Sequence, residues 1–217
     1  MIRAVAFDFD GVIVESVSVK TQAFARLFEG EGPEVVAQVV AYHLAHGGVS
    51  RVEKIRHYYR EILRRPLPDA QLEALCEEFQ RLTFVGVVEA PWVTGALETI
   101  RELHARDFTL FVVSGTPEPE LREIVERRDL TPYFSGVFGS PRTKDVVLSS
   151  LLGPDLPPED LVFVGDAMTD YDGASAAGVR FVARATAEGP DWSTLGVPVL
   201  PDLVGLSRVI ADFAKRV

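Results

Sequence analysis

Residues 2–16, IRAVAFDFDGVIVES, constrain the fold more than any other stretch of the chain. An apolar run with strand character breaks off in two aspartates, Asp8 and Asp10, followed at once by Gly11. A buried strand thus delivers carboxylates to the edge of a sheet. Strand side chains alternate between faces, so Asp8 and Asp10 leave on one side while Phe7 and Phe9 pack on the other. Two like charges about 6 to 7 Å apart on one strand face repel unless a cation sits between them. Taken alone, the pair reads equally well as a solvated strand end with a capping aspartate, and the rest of the chain must decide.

With 217 residues and 47% apolar composition, the chain can bury one good core and still carry a smaller lobe or insertion. A net charge of -10 argues against a nucleic-acid backbone or an anionic membrane surface as a partner. An anionic substrate would need a local positive site. The single cysteine, Cys76, stands at helical spacing in LEALCEEF, where a small buried apolar residue is expected, and it permits no internal disulfide. The sequence contains no basic leader with a long apolar core and no 18-residue apolar span, so a reducing cytoplasm is the expected location.

After Ser16 the pattern turns helical for some seventy residues. VKTQAFARLF (19–28) forms the first helix and GEGP stops it, with Pro33 placed to open PEVVAQVVAYHLAH. Gly47 and Gly48 end that second helix. Ser50 and Glu53 make an S-x-x-E start for SRVEKIRHYYREIL, with Val52, Ile55, Tyr59 and Ile62 on one face and Arg51 and Lys54 directed elsewhere. Pro66 and Pro68 break the chain, and DAQLEALCEEFQRL completes the set before the chain turns back at Phe84. From there strand and helix alternate. FTLFVVSGT ends in Ser114, Gly115 and Thr116; GVFGS (136–140) follows a charged helix; PRTKDVVLSSLL enters another helix; and the strand 161–164 is closed by Gly165 and Asp166. VRFVA and the 197–216 stretch add two further strands and a closing helix. This alternation predicts an α/β fold, a Rossmann-like doubly wound parallel sheet, with functional groups beyond the carboxyl ends of its strands.

Four segments in this order resemble the motifs of the haloacid dehalogenase-like hydrolases, in particular members with a helical cap such as phosphoglycolate phosphatase and beta-phosphoglucomutase. DFDGVIVES is similar to the first motif, the strand ending in Ser114 to the second, Lys144 to the third and GDAMTD to the fourth. Each has a bland counterpart: an ordinary turn at Ser114-Gly115, an exposed lysine opening a helix, an N-cap at Asp166. Four in sequence are far more specific than any one. The resemblance divides the chain into an α/β core, residues 1–16 and 85–217, and an inserted α-helical cap domain, residues 17–84.

The resemblance implies an enzyme, a Mg2+-dependent phosphatase acting on a small phosphorylated metabolite. Asp8 would be the nucleophile and carry an aspartyl phosphate, and Asp10 would protonate the leaving group and then activate water. Ser114 and the N–H of Gly115 would hold phosphoryl oxygens, and Lys144 would neutralise both the phosphate and Asp8. Asp8, the backbone carbonyl of Asp10, and Asp166 would ligate magnesium, with Asp170 behind them. GVSR (48–51) is similar to a cap segment of beta-phosphoglucomutase, which makes Arg51 and Lys54 candidates for contacting substrate. His43, His46, His57 and His104 have no metal-ligand spacing with the acids and read as surface or packing residues. Two positions depart from the family pattern: Glu15 where aspartate is common, and Asp145 after Lys144 in place of proline. Asp10 favours phosphate esters over carbon-halogen or carbon-phosphorus bonds. A phosphomutase using the same aspartates, and a non-catalytic binding protein that keeps the fold, remain as alternatives, and the sequence leaves the oligomeric state open.

Overall fold

A computed structural model describes residues 1–214. Its sheet has six parallel strands, β1 (Ala4–Phe7), β2 (Thr109–Pro117), β3 (Gly136–Ser140), β4 (Leu161–Gly165), β5 (Arg180–Arg184) and β6 (Val199–Leu200), in the order β3-β2-β1-β4-β5-β6. The central strand is β1, with Ala4 in register with Thr109 on one side and Leu161 on the other. The order reverses at β1, so its carboxyl end opens onto the crevice where doubly wound sheets bind ligands.

Alternation along the strands fills two cores. Val5, Phe7 and Phe9 point with Val112, Val162 and Val164 into a cluster completed by Ile100, Leu103, Leu121, Ile124 and Ile210. These come from α5 (Ala96–Ala105), α6 (Glu118–Arg127) and α9 (Leu206–Ala214). Ala4 and Ala6 face the other way with Phe111, Val113 and Phe163 against Val147, Leu148 and Ala174. Those belong to α7 (Lys144–Leu151) and α8 (Met168–Ala177). Of the closing helix expected to reach residue 216, Lys215 and Arg216 lie outside the described residues.

Between β1 and α5 the chain builds four helices: α1 (Val17–Leu27), α2 (Pro33–Ala45), α3 (Arg51–His57) and α4 (Asp69–Val88). They enclose their own apolar cluster around Phe24, Phe28, Val39, Ile55, Tyr58 and Phe79. Two details differ from expectation. First, α4 does not end before Phe84 but continues to Val88, because Val87 is buried and Gly86 lets the helix close on Val19. Secondly, α3 does not run on as one regular helix: it passes into a π-helical turn, Tyr58–Leu63. Its buried side is Arg51, Lys54, Ile55, Tyr58 and Tyr59, so the two cations expected to point elsewhere are buried. Among the described residues no helix is long and apolar enough to cross a membrane.

Candidate active site

Beyond the carboxyl end of β1, a cavity of about 730 Å³ opens between the sheet and the four inserted helices. Asp8, Asp10, Ser114, Gly115 and Asp166 line its sheet side, and Lys20, His43, Arg51 and Lys54 line its helical side. The turn that carries the first two aspartates depends on Gly11. Its φ is +77°, and a Cβ there would stand 2.1 Å from Asp166 Oδ2, so only glycine lets the first and fourth motifs meet.

Asp8 is buried, and its Oδ1 accepts the N–H of Phe9 at 2.7 Å. Its Oδ2 lies 3.1 Å from Lys144 Nζ, and the same ammonium is paired with Asp170 Oδ1. The other oxygen of Asp170 accepts the N–H groups of Asp166 at 3.1 Å and Ala167 at 3.0 Å, a fixed anchor at the start of α8. Lys144 is thus a buried wedge between two carboxylates rather than an exposed helix opener. Burial alone would lower its pKa, but Asp170 and Asp8 outweigh burial and hold it protonated.

One lysine is too little charge for this corner. Burial, with Asp170 and Asp10, pushes the Asp8 carboxyl up in spite of Lys144. Burial, Asp170 and Asp8 push Asp166 well up too. Oxygens of Asp8, Asp166 and Asp170 lie within 4.8 Å of one another, a set of hard donors of the kind that suits a divalent cation. Asp170 already takes three donors, Lys144 and the N–H groups of Asp166 and Ala167, against two at Asp8, Phe9 N–H and Lys144, so more lone pairs are left for an ion on Asp8 and Asp166.

Asp10 is differently placed. Ser16 Oγ donates to its Oδ1 at 2.6 Å, and Thr116 Oγ1 approaches its Oδ2 at 3.3 Å. Lys20, on α1, pairs with Asp10 and donates to Thr116 at 2.8 Å. Burial would raise the Asp10 pKa, but Lys20, Ser16 and Thr116 together bring it below the usual range. Sequence reasoning missed Lys20. The available signal was a cation four residues into a helix whose first turn has no acidic residue, against the helix dipole.

The inserted helices press onto this site through Gly47 and Gly48. Thr169 Oγ1, on α8, donates to Gly47 O at 2.8 Å. Gly48 has φ +74°, and a Cβ there would stand 2.1 Å from Thr169 Oγ1 and 2.9 Å from Lys144 Nζ. Ser114 is buried beside this contact, with its Oγ accepting the N–H of Thr116 at 3.3 Å. The two buried cations of α3 have different fates. Arg51 is paired with Glu120 of α6, donates to Cys76 O at 3.2 Å and lies 5.0 Å from the Phe79 ring centre. Lys54 meets His43, with Nζ 2.8 Å from Nδ1. His43 is therefore a cavity residue, whereas His46 and His57 stack on Tyr42 and His104 abuts Tyr133. Glu15 is held by Arg184, which also donates to Gly11 O at 3.2 Å. Asp145 turns to Thr143, whose hydrogen bond lowers its pKa.

The family model of haloacid dehalogenase-like hydrolases matches residues 2–178. The chain belongs to the haloacid dehalogenase-like hydrolase family. It is 29% identical over 203 residues to a phosphoglycolate phosphatase of Salmonella typhimurium, an alignment covering 82% of this chain and 79% of that protein. Among solved structures, beta-phosphoglucomutase from Clostridium difficile superposes with a TM-score of 0.80 at 14% identity, covering 100% of this chain and 99% of that one. A HAD-hydrolase of Bacillus subtilis bound to magnesium gives a TM-score of 0.68 at 20% identity, over 97% of this chain and 99% of that one. This HAD-like chain is an enzyme, a phosphatase.

Proposed function

We propose that this phosphatase hydrolyses the monoester of a small phosphorylated metabolite through an aspartyl phosphate on Asp8. The observation that carries the reading is Lys144, wedged between Asp8 and Asp170 at the open end of the central strand. A phosphomonoester dianion repels an approaching carboxylate, and a buried ammonium offsets that repulsion where the new bond forms.

Asp8 attacks phosphorus as the bond to the leaving oxygen breaks; Asp10, a carboxylate in the free site, takes up a proton when the phosphate dianion binds beside it and offsets the pull of Lys20, and gives that proton to the leaving oxygen. Asp10, now a carboxylate, takes a proton from water, which attacks phosphorus and breaks the bond to Asp8, releasing inorganic phosphate. Lys20, Ser16 and Thr116 aim Asp10 at both events. Ser114 and the N–H of Gly115 hold phosphoryl oxygens. Asp8, the Asp10 carbonyl and Asp166 would hold magnesium, with Asp170 anchoring the turn behind them; the ion supplies positive charge to the phosphoryl oxygens. The four inserted helices serve as a cap that excludes bulk water. The Salmonella relative is named for phosphoglycolate, and a small phosphorylated acid is the substrate type carried over to this chain. A reducing cytoplasm suits the single free cysteine.

Phosphate release from a panel of monoesters, with and without magnesium, tests this. Chelation abolishes turnover, and Asp8→Asn removes it while the circular dichroism spectrum is retained. The trapped intermediate is a hydroxylamine-labile acyl phosphate at Asp8. Activity surviving Asp8→Asn, or phosphoryl transfer to a sugar without phosphate release, refutes the assignment.

A further inference from the structure

Arg184 ends β5 and points its guanidinium at the turn after β1. Nη1 donates to Gly11 O and to Glu15 Oε2, each at 3.2 Å, Nη2 pairs with Glu15 Oε1, and Nε donates to Pro201 O at 3.3 Å. The arginine side chain is 12% exposed and that of Glu15 43%, so the acid is the outer member of the pair and the arginine the inner one. Both line the cavity that holds Asp8, Asp10 and Asp166.

The turn leaves two carbonyls for partners outside itself. The N–H groups of Gly11, Val12, Ile13 and Val14 all go to Phe9 O and Val14 O. Gly11 N–H meets Val14 O at 2.8 Å, and in a trans peptide the carbonyl of the same unit, Asp10 O, points the opposite way. The next carbonyl along, Gly11 O, is the one Arg184 takes. Between these two peptide planes stands a glycine at φ +77°, with no side chain to restrict it. Asp166 Oδ2 is packed on the same Cα, where a Cβ would stand 2.1 Å from it. Release of Gly11 O therefore frees the one joint that sets the Asp10 carbonyl against the Asp166 carboxylate. Charge does not explain the arrangement, since a guanidinium opposes a nearby cation and Glu15 merely offsets it. A planar fork held by an acid supplies direction.

We infer that Arg184, steadied by Glu15, is a positioning residue for the divalent-cation site: it holds the Gly11 carbonyl and so sets the aim of the Asp10 carbonyl and its spacing from Asp166. This rests on the metal reading proposed above and adds to it two residues that tune which ion fits. Mg2+ demands a near-octahedral set of oxygens and Ca2+ tolerates an irregular one, so a loosened turn costs Mg2+ more.

The test needs neither substrate nor turnover. Mn2+ binding is read from the electron paramagnetic resonance signal of the free ion, with Mg2+ and Ca2+ as competitors. Arg184→Met combined with Glu15→Gln exchanges one neutral pair for another, so a purely electrostatic role predicts no change, and a role confined to stability predicts a lower Tm with wild-type affinity. The expected result is Mg2+ affinity about 10-fold weaker, with a smaller loss for Ca2+. Arg184→Met alone bares Glu15, which by charge would tighten cation binding; weaker binding is expected all the same. Arg184→Lys, a charge without the fork, recovers part of the loss. Asp166→Asn is the control for the metal reading. A wild type that binds no Mn2+, or an Asp166→Asn variant that binds it equally well, ends that reading and this inference together. Binding lost in Asp166→Asn but unchanged in the double variant, with the wild-type ratio of Mg2+ to Ca2+ affinity, overturns the inference alone. Where the double variant does not fold, Glu15→Asp, one methylene shorter, decides: weaker Mg2+ binding is expected, and wild-type affinity is the contrary result.

Discussion

The carbonyl oxygen of Gly48 lies 2.3 Å from the point where a Cβ on Gly115 would stand, so the inserted segment and the sheet meet backbone to backbone beside Ser114. Neither position has room for a methyl group. Gly48 also has φ +74°, where an L-residue costs about 1 to 2 kcal/mol before any clash. Gly48→Ala is expected to lower kcat/KM at least tenfold, on the order of the 1.4 kcal/mol that its strain alone supplies. Steady-state kinetics beside thermal denaturation check this, and an unchanged kcat/KM would show that the contact is dispensable.

Lys20 reaches from α1 to Asp10 and Thr116. Lys20→Met removes the pairing and leaves Asp10 to Ser16 and Thr116. The expected loss is about 10- to 100-fold, concentrated in kcat because the lysine acts on the proton donor and not on the bound phosphate. Lys20→Arg retains part of the rate. A loss expressed wholly in KM contradicts this role.

Burial, with Lys20 and Lys144, lowers the Lys54 pKa from 10.5 to about 7, against the smaller pull of Asp10 and Asp166. Below about pH 7 the side chain is charged in both folded and unfolded chains, and the full burial cost is felt. Between about 7 and 10.5 the unfolded chain binds more protons, so this residue makes stability rise with pH. In protein free of substrate, Lys54→Met removes that rise and raises both the melting temperature and the unfolding free energy at pH 7, the latter by on the order of a few kcal/mol. Melting curves from pH 6 to 10 decide it.

Arg51 and Glu120 form a buried pair between α3 and α6. Arg51→Met strands the carboxylate and is expected to destabilise by about 3 to 5 kcal/mol, and Glu120→Leu, which strands the guanidinium, by a similar amount. The double variant is expected to recover most of that loss. A denaturant double-mutant cycle measures the coupling, and additive losses would show that the two groups do not act as a pair.

The elements of the sheet were legible because each strand is an apolar run closed by glycine or a polar residue, and the alternation of Ala4 and Ala6 against Val5 and Phe7 maps onto the two cores. That Asp8, Ser114 and Asp166 share one end of the sheet was legible because each follows an apolar strand run, and Lys144, named through the motif resemblance, is found beside Asp8. The polar cap wall was not. Periodicity let Arg51 and Lys54 point away from the apolar face, and only the resemblance offered them as cavity residues, because nothing local marks Glu120, sixty-nine residues from Arg51, or the His43 Nδ1 that Lys54 meets. Lys20 escaped for the same reason, since its partner Thr116 comes from a strand ninety-six residues away. The length of α4 was hidden by Gly86, a helix weakener by propensity that close packing on Val19 requires.

The first turn of α8 has two tasks within four residues. Asp170 steadies the ammonium that faces Asp8, and Thr169 grips the Gly47 carbonyl. Any tilt of that turn moves both grips together. In the proposed mechanism, seating of the inserted helices and placement of the charges are thus coupled through one turn, and a shell left ajar would have its lysine out of true.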